Sequence, residues 1–118
     1  MRSTQRKGDI AVAQAVATFT KLGFDILLPI TEFAAYDLVV DQDGILKRVQ
    51  VRYTSIGQVD LRRIHSNSQG YVIKKIKKCV YDWLYILDQK GNEYLIKQCY
   101  IGRRSVKPTE VDLIKNSI

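Results

Sequence analysis

Histidine is almost missing: His65 is the single one in 118 residues. That excludes a metal centre built on paired imidazoles and a Ser-His-Asp nucleophile assembled within the chain. Cysteine is scarce as well. Cys79 and Cys99 lie outside any zinc-ligand or redox spacing and read as two reduced thiols, with a disulfide between them left open. No apolar run approaches the ~18 residues of a membrane span, so no membrane helix is expected. The N-terminal MRSTQRKGD passes straight into an amphipathic pattern, without the apolar block and cleavage site of a secretory signal. An intracellular, cytoplasmic protein is the expectation. No internal repeat or low-complexity segment is present.

Acidic residues are also in deficit. Twelve Asp and Glu against nineteen Lys and Arg give a net charge of +7, a positive field that draws in polyanions, nucleic acid first among them. The plainer alternative is a small basic protein that binds nothing specific. A hydrophobic fraction of 46% and a charged fraction of 26% are those of a soluble globular chain. The length fits one domain over residues 1–118, with residues 1–7 a basic flexible tail.

The most informative stretch is YDLVVDQDGILKRVQVRYT, residues 36–54. Two runs rich in Val, Leu, Ile and Tyr flank Asp43-Gly44, a dipeptide that favours a type I′ hairpin turn. With that pair as the turn, Gln42 faces Ile45, and counting back sets Asp37 opposite Gln50. A slip of two residues would pair Asp37 with Arg48 instead. Side chains alternate with period two, so in either register Asp37, Gln50 and Arg52 share a face. On the second strand Val49, Val51 and Tyr53 form a core face and Arg48, Gln50, Arg52 and Thr54 the other. A carboxylate, an amide and a cation on one face of an apolar hairpin are costly to bury without a use.

Pro29, Tyr36-Asp37 and Gln50-x-Arg52 together resemble the core of the PD-(D/E)xK nucleases, in which an Asp on one strand and an acidic-x-Lys triplet on the next hold a divalent metal. The likeness runs from about Gly8 to Thr54 and is closest to the cyanobacterial group I intron homing endonucleases, which carry Gln-x-Lys. Arg52 departs from that pattern, standing where the family has Lys. The resemblance implies an α/β (α+β) fold with a restriction-endonuclease-like core, in which an N-terminal helix packs on a mixed sheet of about four to six strands.

The remaining elements follow in chain order. Val12, Ala13, Val16, Ala17 and Phe19 have helical spacing over Gly8–Leu22, and Gly23 suits the C′ position. Asp9 falls in that apolar sector. It either caps the helix N-terminus or, as the resemblance implies, adds to the metal site. FDILLP, residues 24–29, reads as a short strand, and Glu32 as an exposed loop residue. Residues 58–64 alternate weakly as a strand and residues 65–70 read as a polar loop; Arg62 and Arg63 of the first and His65 and Asn67 of the second could meet DNA. Apolar positions 72, 73, 76 and 80 suggest a short basic helix whose Lys74, Lys75, Lys77 and Lys78 face phosphates or simply water. Residues 81–87 and 93–98 form a second hairpin. Asp82 resembles the family's structural acid at the start of the corresponding strand. Arg103 and Arg104 offer another phosphate grip, and Thr109 caps a brief terminal helix.

The resemblance implies a metal-dependent endonuclease acting on double-stranded DNA, of the site-specific homing kind. Mg²⁺ is the implied cofactor, with Mn²⁺ as a substitute, held by Asp37, Asp9 and the carbonyl of Val51, while Gln50 adds an amide oxygen or orients a water. Arg52 cannot serve as a base, because an arginine side chain keeps its proton in proteins, but it can brace a phosphate. Three states follow for the chain: a working site that needs no lysine base, a slow enzyme, or a chain whose lysine was replaced to trap a complex. The alternatives are a catalytically weak or inactive DNA-binding protein of the same fold and a Holliday junction resolvase. A protein-binding or structural module would show no affinity for DNA and no response to metal. One small domain covers few base pairs, so a homo-oligomer, dimer or tetramer, is expected.

Overall fold

The computed structural model describes residues 3–61, 63–67, 70–74 and 79–114. Its first element, α1, spans Ser3–Lys21, so the helix starts five residues before the expected Gly8 and absorbs most of the stretch read as a tail. Thr4 to Lys7 are good or neutral helix formers with no apolar period, and periodicity therefore did not reveal them. The buried stripe is Ala11, Ala15 and Phe19, with Val12 and Val16 partly buried, whereas Ala13 and Ala17 face solvent. Small alanines let the helix lie close on the sheet.

The helix stops as its C-terminal sequence dictates. Gly23 takes φ +94°. Its N–H donates to the Thr20 carbonyl at 3.1 Å, and that of Phe24 to the Phe19 carbonyl at 3.0 Å. The rings of Phe19 and Phe24 meet edge to face with centroids 5.6 Å apart. This is a Schellman closure with its apolar contact, and it feeds the chain into the sheet.

Five strands make the main sheet in the order β1-β2-β3-β7-β8. They are β1 (Asp25–Leu27), β2 (Leu38–Gln42), β3 (Ile45–Thr54), β7 (Trp83–Asp88) and β8 (Glu93–Ile96), with β4 (Val59–Asp60), β5 (Arg63–Asn67), β6 (Gly70–Lys74) and β9 (Ser105–Val106) outside it. All main-sheet pairs are antiparallel except β3 with β7. Residues 55–82 are the crossover that a parallel pair requires. Asp43 (φ 56°) and Gly44 (φ 85°) make the turn between β2 and β3, and Gln42 pairs with Ile45 as the Asp-Gly signal requires.

Each face of the sheet has its own core. Val49, Val51, Tyr85 and Leu87 meet α1 on one side. Leu84 and Ile86 meet Val59, Leu61, Tyr81 and Val106 on the other. Buried Thr18 joins helix to sheet through Glu93, whose Oε1 accepts from Thr18 Oγ1 at 2.5 Å and from the Tyr85 hydroxyl at 2.6 Å.

The basic stretch differs from its expected form. Residues 70–74 are a strand, β6, paired antiparallel with β5 so that Arg63 stands opposite Lys74 and Asn67 opposite Gly70. Residues 65–67, read as loop, belong to that ribbon. Tyr71, Val72 and Ile73 are aromatic and β-branched, and that strand preference overrides a helical spacing resting on four positions. Lys75, Lys77 and Lys78, like Arg62, lie outside the described residues. Val59 and Asp60 pair with β9. Thr109 precedes a 3₁₀ turn over Glu110–Asp112, and its N–H donates to Asp112 Oδ2 at 2.9 Å.

Candidate active site

Strand β3 outruns its neighbour. The β2 ladder ends at Leu38 opposite Val49, and the Asp37 N–H makes one further bond to the Val49 carbonyl at 2.9 Å. Beyond this point β3 continues to Thr54 with β7 on one side and no β2 on the other. The edge so exposed forms a groove of about 530 Å³, walled by Asp37, Val51, Arg52 and Tyr53 from the sheet and by Thr4, Lys7, Gly8, Asp9 and Val12 from α1.

Asp37 is fixed at the start of this edge. Its Oδ2 accepts from Gln50 Nε2 at 2.8 Å and from the Val51 N–H at 2.7 Å, and lies 4.0 Å from Arg52 Nη1. These contacts fall on Oδ2, which leaves Oδ1 for a ligand in the groove. Arg52 Nη1 also donates to the Val51 carbonyl at 3.0 Å. Asp37 and Arg52 are each about one third exposed, at 35% and 34%, so both remain within reach of a substrate.

Asp9 lines the same groove from the helix side. It is exposed and nearly two turns inside α1, whose first turn contains no acidic residue. The capping role considered for Asp9 therefore falls away, because the amides that need a cap lie further back. Val51 and Tyr53, assigned to the core face of β3, line the groove too, because the strand is open at its edge. Thr4, Lys7 and Ser55 are groove residues that sequence reasoning missed. No motif marks them; only the early start of the helix and the end of β2 bring them here.

Beside this site, Asp82 clamps the start of β7 onto β3. Its Oδ2 accepts from the Arg48 N–H at 2.8 Å and from Arg48 Nε at 3.1 Å, and its Oδ1 from Arg48 Nη2 at 3.2 Å. The Asp82 N–H donates in turn to the Arg48 carbonyl at 2.8 Å. These side-chain bonds to Arg48 hold the Asp82 carboxyl below its usual range, and the same pairing raises Arg48. Arg48 is on the Gln50 face but spent on this clamp.

The other expected DNA contacts sit on other elements. Arg63, His65, Asn67 and Lys74 are in the β5–β6 ribbon. Arg103 and Arg104 are exposed, with the Arg103 guanidinium 4.5 Å above the Tyr100 ring. Glu32 is exposed. Cys79 and Cys99, distant in sequence, come close: Cys79 Sγ lies 3.9 Å from the Cys99 carbonyl. Both are free thiols, and burial pushes the Cys99 thiol up to about 11.

Among the described residues no group of three His, Cys, Asp or Glu side chains converges on a point. Asp37, Asp9 and Val51 line the groove, with Gln50 bonded to Asp37 through Nε2; two carboxylates and a backbone carbonyl make a sparse oxygen set. It fits Mg²⁺, which binds through one or two carboxylates and completes its shell with water and substrate phosphates. It does not fit zinc, which wants nitrogen and sulfur.

Known proteins bear on this arrangement. The solved structure of a bacterial homing endonuclease, I-Ssp6803I, is similar over 99% of this chain and 85% of its own, with a TM-score of 0.75 at 26% identity. No curated protein matches the sequence. Among the described residues no helix is long and apolar enough to cross a membrane. The PD-(D/E)XK endonuclease family model matches residues 2–100, a span that holds α1, the β2–β3 hairpin and the groove between them, and the chain belongs to that family.

Proposed function

We propose that the chain is a divalent-metal-dependent endonuclease that hydrolyses phosphodiester bonds of double-stranded DNA at the Asp37 groove, in the manner of a homing enzyme. The observation that carries this reading is the placement of Asp37. It is held by Gln50 Nε2 and the Val51 N–H at a strand edge, with Asp9 on the facing helix in the same groove.

Asp37 and Asp9 would hold Mg²⁺, or Mn²⁺ in its place, with the carbonyl of Val51 and the Gln50 amide as neutral donors. When bound there, such an ion would supply Lewis acidity toward the attacking water and would offset the charge that grows on the phosphate. Gln50 keeps Asp37 in one rotamer through its amide hydrogen bond. Arg52 braces a phosphate oxygen with its guanidinium and stays protonated throughout, so it takes no proton from water. The β5–β6 ribbon is an element that a DNA major groove admits, and Arg63, His65, Asn67 and Lys74 are its candidate contacts. Arg62, Lys75, Lys77, Lys78, Arg103 and Arg104 are further candidate grips on DNA phosphates. Two or more copies acting together would give the DNA footprint that one small domain lacks and would present a site to each strand.

A slower or silent enzyme is the second reading, favoured by one observation. Arg52 already pairs with Asp37 and with the Val51 carbonyl, two groups that a metal would use. Both readings are tested by incubating the protein with a mixed-sequence supercoiled plasmid library in Mg²⁺, Mn²⁺ or EDTA, beside Asp37→Ala. Nicking or linearisation that needs metal and Asp37 is the expected result. DNA retention without cleavage in either metal would leave a binding protein of nuclease fold.

A further inference from the structure

We propose that Lys7, on the first helix, supplies the mobile ammonium that position 52 does not, gripping the reacting phosphate from the helix side of the groove. This rests on the endonuclease reading of Asp37. Lys7 lines the groove together with Asp9, Asp37 and Arg52, and its Nζ lies 5.5 Å from the centroid of the Tyr53 ring. Tyr53 directly follows Arg52 on β3, so the ammonium is tethered over the strand that carries the Gln50-x-Arg52 triplet. Lys7 and Tyr53 also border a second groove of about 470 Å³ that reaches Asp88 and Gly91, forming a ridge between the two. Next to Lys7 the helix wall is bare: a Cβ at Gly8 would meet nothing within 4 Å.

The two cations differ in freedom. Arg52 is turned along its own strand, onto the Val51 carbonyl at 3.0 Å and toward Asp37 at 4.0 Å. Lys7 is exposed on a four-carbon stem, held by a cation–π contact that is weak in water. A charge-assisted hydrogen bond to a phosphate oxygen is stronger, so substrate draws the ammonium off the ring and into the groove. A compact ammonium with three rotatable donors follows charge as it shifts between phosphate oxygens, which a planar fork does less well. The early start of α1 is what makes this possible: a flexible tail at residues 1–7 would not keep Lys7 in the groove wall beside Asp9.

The test uses the same plasmid library in Mg²⁺ and compares wild type, Lys7→Met, Lys7→Arg, Arg52→Lys, the Lys7→Met/Arg52→Lys double variant and Asp37→Ala. Single-turnover cleavage and DNA Kd are measured for each. Lys7→Met is expected to slow cleavage roughly 10²-fold with Kd changed less than about threefold, and Lys7→Arg to recover part of the loss. Arg52→Lys is expected to make Lys7 dispensable, so that the double variant cleaves within about tenfold of Arg52→Lys alone. If Lys7→Met cleaves at the wild-type rate while Asp37→Ala is dead, the role of Lys7 is overturned and the endonuclease reading stands. A loss of cleavage matched by the loss of affinity also overturns it, leaving an ordinary phosphate contact. If neither wild type nor Arg52→Lys cleaves, the endonuclease reading fails and the role of Lys7 fails with it.

Discussion

At the scale of single residues, the proposed metal site is marked by how few full charges it offers. Gln50 stands where an acid would add a third carboxylate, and its amide donates to Asp37 at 2.8 Å instead of repelling it. The metal-free protein is thereby spared a like-charge pair. Gln50→Glu should reverse the balance, lowering Tm in EDTA by several degrees, since about 1 kcal/mol moves a domain of this size by roughly 4 °C. Added Mg²⁺ should recover that loss and bind more tightly than in wild type, because ligand charge sets affinity. Differential scanning fluorimetry across a Mg²⁺ series reads both effects. An unchanged Tm in EDTA would show that residue 50 does not face Asp37 in solution.

At the scale of elements, the crossover from β3 to β7 depends on a clamp between Arg48 and Asp82. The folded carboxyl is held below its usual value by the hydrogen bonds from Arg48. Its stabilisation is therefore complete above the unfolded value of about 4 and is lost as pH falls through the lower folded value. Both side chains are more than one third exposed, at 40% and 35%, so solvent screening limits the clamp to about 1 kcal/mol. Asp82→Asn should lower Tm most at neutral pH, and the gap to wild type should close below about pH 4. A gap that persisted there would mean that packing, not charge, holds β7. Elements were legible in the sequence where local chemistry decides them. Asp43-Gly44 fixed a turn and through it the register of Asp37, Gln50 and Arg52, and Gly23 ended the helix. Apolar positions 72, 73, 76 and 80 suggest a helix from Tyr71, but Tyr71, Val72 and Ile73 prefer a strand, and the described part of that stretch is one. The groove was half legible: Asp37 and Arg52 follow from the hairpin, whereas Lys7 and Thr4 enter through the docking of α1, which no local pattern encodes.

At the scale of the whole molecule, a charge of +7 is carried by a frame that sets the Asp37 groove, the proposed site of hydrolysis, at the edge of the strand that pairs in parallel with β7. Such a frame should bind duplex DNA with affinity that falls steeply as salt rises, by a log–log slope of about −0.9 for each phosphate contacted. Removing Arg103 and Arg104 together should shallow that slope by about 2 if both grip phosphates. Fluorescence anisotropy over a NaCl series measures it, and a slope that did not move would free those arginines from the interface. The central claim is that Asp37 serves the chemistry and is more than a structural cap on β3. Its Oδ2 accepts from Gln50 and Val51, and an asparagine keeps one oxygen for those donors while losing the charge that a metal needs. The most direct measurement is therefore the cleavage rate of Asp37→Asn taken beside its Tm and its DNA Kd. Cleavage should fall roughly 10²–10³-fold while Tm and Kd stay near wild type; cleavage at the wild-type rate, or lost only in step with folding, would contradict the assignment.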